Sequence, residues 1–153
     1  MNFERSASVL GSVCSIIFNC KKYSLLHAIV LKHWIVPAIE HDQIRVYFDK
    51  FSNPVGYITW AHLARDTELR LLNDLDFSLH LSEWNEGGRT WILDFCFPTG
   101  MAKFSIAQLK KDLTGQGIKQ VFWVRRDADY SVRKVSSSPA AATSILLPLP
   151  GHL

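Results

Sequence analysis

Asp94 stands inside Trp91-Ile92-Leu93-Asp94-Phe95-Cys96-Phe97, a run of bulky apolar residues that reads as a buried strand. Aspartate is poor in strands and costly to bury unpaired. Such a carboxylate must lie at a strand end, pair with a distant group, or hold its proton more tightly. One use for it is to orient a histidine, keeping a single tautomer and stabilising the imidazolium. Pairing with Arg89 or with a backbone amide is the structural alternative. His27 is the matching imidazole, set in the otherwise apolar Ser24-Leu25-Leu26-His27-Ala28-Ile29-Val30. Taken alone, a lone histidine on such a helix is more often a satisfied core residue than a catalyst. His33 and His62 have no motif around them, and His41 and His80 fall in polar connecting segments. No pair of histidines has the i,i+4 spacing of a helical metal site, and no metal is expected.

The elements that must position these residues follow from periodicity. Val9, Leu10, Val13, Ile16 and Ile17 have helical spacing. Ser24 suits the N-cap of a second helix that stops before Pro37, with Leu26, Ile29, Val30, His33 and Trp34 on neighbouring faces. Gln43–Phe51 alternates, Ser52-Asn53-Pro54 signals a turn, and Val55–Trp60 returns, giving an antiparallel hairpin. Ala61–Leu72 reads as a helix with Leu63, Leu69, Leu71 and Leu72 inward. The polar-apolar stretch from Asn73 to Gly88 is a connector. Arg89–Phe97 is a strand, Met101–Leu113 a helix, Ile118–Val124 a strand, and Tyr130–Val135 its partner or continuation. The order predicts an α+β fold: a single domain with a largely antiparallel sheet flanked by helices. Residues 1–135 form that domain, and the Ser-, Ala- and Pro-rich residues 136–153 read as a flexible uncharged tail. Gly100, between strand and helix, could expose amide donors to a phosphate or pantetheine group, although a plain turn explains one glycine equally well.

At 153 residues and 48% hydrophobic, the chain can bury a core. No apolar run reaches the roughly 18 residues of a membrane span, so stable membrane insertion is not expected. The N-terminus lacks the pattern of a signal peptide, and three cysteines without a CxxC pair argue against disulfides and zinc; a cytoplasmic protein is expected. Charge is uneven. Residues 1–100 carry nine basic and eleven acidic side chains, and residues 101–135 carry eight basic and three acidic. That basic segment is either a solvated face or a dock for an acidic partner. No signature of nucleic-acid binding accompanies it.

Several blocks resemble the RTX toxin-activating lysine acyltransferases: Pro37–Gln43 (PAIEHDQ), Asn53–Leu63 (NPVGYITWAHL), the ELRLLND helix end, and Glu83–Phe95 (EWNEGGRTWILDF). The last holds Trp84, Gly88, Arg89, Trp91 and Asp94 in the family's order. The resemblance implies a fold like that of the Gcn5-related N-acetyltransferases. It implies a fatty acyl chain on acyl carrier protein as donor, with no tightly bound cofactor, and an internal lysine of an RTX protoxin as acceptor. A homodimer is compatible with it. The implied catalytic pair is the histidine of a Ser-x-x-His motif and the aspartate of the strand, which matches Asp94. Aligned without gaps from Pro37, the family's serine and histidine positions hold Cys20 and Tyr23. Ser24 and His27 restore the motif four residues later, one helical turn of about 6 Å. His27 is therefore the expected base and Tyr23 the alternative occupant, with Ser24, Arg89 and Trp91 supporting. Gly100, Lys110, Lys111, Arg125 and Arg126 are expected on the donor side. An acyl-histidine intermediate is a variant of the same chemistry. Two other classes remain open: an inactive acyltransferase-like binding protein, and a small-molecule N-acetyltransferase. The second lacks its usual Arg/Gln-x-x-Gly-x-Gly/Ala phosphate loop here.

Overall fold

The structure is a computed structural model, and it describes residues 2–21, 28–100, 102–126 and 131–140. The fold is α+β, as the alternation of periodicities predicts. Five strands are ordered β1-β2-β3-β4-β5: β1 Ile44–Phe48, β2 Pro54–Leu63, β3 Arg89–Cys96, β4 Gln120–Arg126 and β5 Val132–Pro139. β1 and β2 pair antiparallel, as do β4 and β5, whereas β3 and β4 are parallel. The parallel pair is joined through a helix, as a parallel connection requires. This open, mostly antiparallel sheet with helices is consistent with a Gcn5-related acetyltransferase fold.

The chain divides into two compact units. The first comprises Met1–Trp60 and Leu93–Met101. It opens with α1, Phe3–Phe18, whose N-terminus is capped by the Asn2 side chain accepting from the Arg5 amide at 2.9 Å. Val13, Ile16 and Ile17 form its buried stripe, and α1 packs against α3 (Val36–Glu40) and β1. Between α2 (Ala28–Val30) and α3 runs a π-helical turn, Leu31–Ile35. The helix thus continues through Pro37, where the sequence predicts its end. Proline has no N–H and its ring collides with the carbonyl four residues back in a regular α-helix. The wider turn relieves this: the Val36 amide donates to the Leu31 carbonyl, five residues back. Ile29 and His33, expected on the apolar stripe, are exposed.

The second unit comprises Ala61–Ile92 and Ala102–Leu153. Ala61, His62 and Leu63, expected in a helix, finish β2 instead. The helix α4 starts later, at Arg65–Asn73, with the Glu68 amide donating to the Ala64 carbonyl. Leu71 is buried, but Leu69 is exposed, because Thr67 and Glu68 take the inward positions. The connector contains a short 3-10 helix, Leu81–Trp84, ending in the buried Trp84. Gly87 donates its amide to the His62 carbonyl at 2.9 Å. A Cβ there would lie 1.6 Å from the Leu63 carbonyl oxygen, so only glycine fits this close backbone approach. Helix α5, Ala102–Gly115, buries Ala102, Ser105, Ile106, Leu109 and Leu113 on one face. β5 extends through Pro139, four residues into the segment read as a tail. Its ladder with β4 reaches Gln120↔Pro139, and Ser138 is fully buried. Residues 141–153 of that expected tail lie outside the described residues. Among the described residues, no helix is long and apolar enough to cross a membrane.

Candidate active site

Asp94 occupies the middle of β3 with its side chain only 9% exposed. The Tyr57 hydroxyl, from β2, donates to Asp94 Oδ2 at 2.6 Å. The Phe95 amide donates to Oδ1 at 2.8 Å. An O–H···O bond of this length to a carboxylate is among the stronger kinds. Tyr57 itself is completely buried. On the opposite face of β2, Gly56 leaves room for the Phe97 ring; a Cβ at Gly56 would fall 2.0 Å from Phe97 Cδ1. Phe97 also stacks obliquely on Phe95 and Tyr47, with centroids 4.8 and 5.7 Å apart. These contacts press β1, β2 and the end of β3 together behind the carboxylate.

Of the two alternatives considered for Asp94, a backbone amide is present. Arg89 goes elsewhere. In the second unit, Glu68 of α4 is a buried carboxylate. Its Oε1 accepts from Trp91 Nε1 at 2.9 Å, and its Oε2 lies 3.2 Å from Arg65 Nη1 and 3.5 Å from Arg89 Nη1. Trp91 and Arg89 both lie against the Phe122 ring. The two residues expected to support the site are thus brought together around Glu68, where they tie α4 to β3. Sequence reasoning missed Tyr57 and Glu68. Glu68 had a visible signal: it stands three and four residues before Leu71 and Leu72, on the inward stripe. Tyr57 had none beyond its place in a strand that returns beside the carboxylate.

His27, Tyr23 and Ser24 lie outside the described residues. Gly100 adopts φ +85°, a value that favours glycine, and its amide is directed at the Phe97 carbonyl at 3.3 Å, which makes a turn. Lys110 is not on a solvated basic face. It is buried on the apolar stripe of α5, where Nζ donates to Ser138 Oγ at 2.6 Å and burial lowers its pKa. Arg126 is half-buried and donates to the Leu71 carbonyl at 2.8 Å, and Arg125 is half-buried as well. Lys111 is exposed, as are Lys103, Lys119, Arg133 and Lys134. His62 bonds through Nδ1 to Thr90 Oγ1 at 2.8 Å, and partial burial lowers its pKa. Among the described residues, no three His, Cys, Asp or Glu side chains gather as a metal site would require.

A model of the RTX toxin acyltransferase family matches residues 2–138. Among individual proteins, the chain is similar to an RTX-II toxin-activating lysine-acyltransferase of Actinobacillus pleuropneumoniae. They are 32% identical over 100 residues, 65% of this chain and 61% of the relative. It is 30% identical over 129 residues to a protein-lysine myristoyltransferase of Kingella kingae, covering 84% of this chain and 74% of the relative. A protein-lysine myristoyltransferase of Escherichia coli is 29% identical over 100 residues, 65% of this chain and 58% of that protein. The chain spans about three fifths of the length of the Actinobacillus relative and 54% of a Mannheimia haemolytica leukotoxin-activating lysine-acyltransferase.

Proposed function

The chain belongs to the RTX toxin acyltransferase family, and on that premise we propose that it transfers a fatty acyl group from acyl carrier protein to an internal lysine of an RTX protoxin. The observation that carries this reading is Asp94: a buried carboxylate anchored through both oxygens, in the segment that carries the resemblance. Chemistry sets the requirement. A lysine amine has a reference pKa near about 10.4, so well under ~1% is neutral at pH 7. The ammonium first gives one proton to solvent, and as the neutral Nζ attacks the thioester carbon an imidazole takes a second. His27 is that imidazole in this proposal, with Asp94 holding its second nitrogen. The new C–N bond forms, the C–S bond breaks, and the imidazolium returns the proton to the departing pantetheine thiolate. The products are an N-acyl lysine and the free carrier thiol.

The acidic carrier would meet exposed cations such as Lys111, Arg133 and Lys134. Lys110 is replaced in that role, since a buried ammonium cannot reach a partner. Cys14, Cys20 and Cys96 are free thiols, which suits a reducing cytoplasm.

Incubation with acyl carrier protein bearing a labelled fatty acid, with and without a protoxin lysine peptide, tests the proposal. Transfer to the peptide is expected. Asp94→Asn should stay folded and lose about 10²–10⁴-fold in rate; wild-type turnover in that variant removes Asp94 from the mechanism. His27→Ala should abolish transfer while Tyr23→Phe leaves it, and the reverse would assign the site to Tyr23. Binding of the carrier without transfer identifies a binding protein, and use of acetyl-CoA a small-molecule acetyltransferase.

A further inference from the structure

We infer that Tyr57 is a positioning residue for the transfer reaction, acting through Asp94 and touching no substrate; this rests on the reading of Asp94 given above. An isolated strand carboxylate rotates about its side-chain bonds and takes up a proton readily when desolvated. Here each oxygen is assigned. Oδ1 is fixed from the chain itself by the Phe95 amide, and Oδ2 from the next strand by the Tyr57 phenol. A carboxylate offers about four lone-pair positions, so two such anchors are compatible with a further donor. The phenol is a suitable anchor. A free phenol has a reference pKa of about 10 and donates at neutral pH, and it carries no charge that would compete with an imidazolium.

The fold holds the phenol in place from behind. Successive residues of a strand face opposite ways. Tyr57 faces Asp94, and Gly56 faces away, with the Phe97 ring seated in the space a side chain would fill. Tyr47 and Phe95 pack on that ring in turn. The aromatic packing sets the approach of β2 to this end of β3, and so the 2.6 Å separation.

Tyr57→Phe removes one oxygen atom and keeps the ring. It should lower kcat about tenfold or more, the order expected for a hydrogen bond to a charged group, with KM for the acyl carrier unchanged. In the double variant with Asp94→Asn, the second substitution should add nothing. Wild-type kcat in Tyr57→Phe, or additive losses in the double variant, overturn the inference. Wild-type activity in Asp94→Asn alone would instead overturn the catalytic reading on which it rests. Should Tyr57→Phe not fold, difluorotyrosine placed at position 57 keeps shape and bond while making the phenol more acidic. The changed strength of the bond should then change kcat with KM for the acyl carrier unchanged, and an unchanged kcat overturns the inference.

Discussion

Asp94 and Glu68 are both buried carboxylates, and their partners give them different work. Asp94 accepts from two uncharged donors, a phenol and a backbone amide. Glu68 faces two guanidinium groups and an indole N–H, which spend its charge within the fold. Arg65 and Arg89 are more than half exposed, so solvent screens those ion pairs and they contribute little. The Trp91 bond is desolvated and matters more. Glu68→Gln keeps an acceptor for Trp91 and should cost about 1 kcal/mol or less by urea denaturation. Glu68→Ala strands a buried donor and opens a cavity, and should cost about 2–3 kcal/mol. Equal losses in the two variants would show that charge, not the indole bond, is the stabilising part. The exceptional carboxylate in β3 was legible from residue types alone. Its phenolic partner lies 37 positions earlier, and no local pattern connects the two.

Elements depart from their predicted bounds where long-range contacts compete with local preference. The helix crosses Pro37 because α3 is buried at Pro37, Ala38 and Ile39, and one widened turn removes the steric obstacle. β2 keeps Ala61–Leu63 because their backbone is engaged beyond the strand: the His62 carbonyl accepts from Gly87. That contact separates two adjacent glycines which the sequence presents alike. Gly87 meets the Leu63 backbone, whereas a Cβ on Gly88 would point into open space. Gly87→Ala should therefore destabilise by about 2 kcal/mol or more, and Gly88→Ala by less than about 1 kcal/mol. Thermal unfolding of the two variants checks this, and a tolerated Gly87→Ala would mean that the loop can give way. The resemblance drew attention to Gly88, while the packing constraint falls on its neighbour.

At the scale of the molecule, helix and strand order followed from periodicity, and so did the α+β class. The extent of β5 did not. Composition places a tail from residue 136, but Ser138 is buried against Lys110 and the β4–β5 ladder runs to Pro139. A chain ending at Ser131 loses β5 and the partner of the buried Lys110, and should not fold stably; cooperative urea unfolding in that chain would show that the strand is dispensable. What the sequence by itself determined was the inventory: which segments are helix or strand, that one carboxylate sits in an apolar strand, and which family the blocks resemble. These rest on local propensity and spacing, which are written along the chain. Only the tertiary structure decided that Tyr57 anchors Asp94, that Arg89 and Trp91 serve Glu68, and that Lys110 faces inward. Each of those pairings depends on strand order and helix rotation, which are set by burial summed over the whole chain.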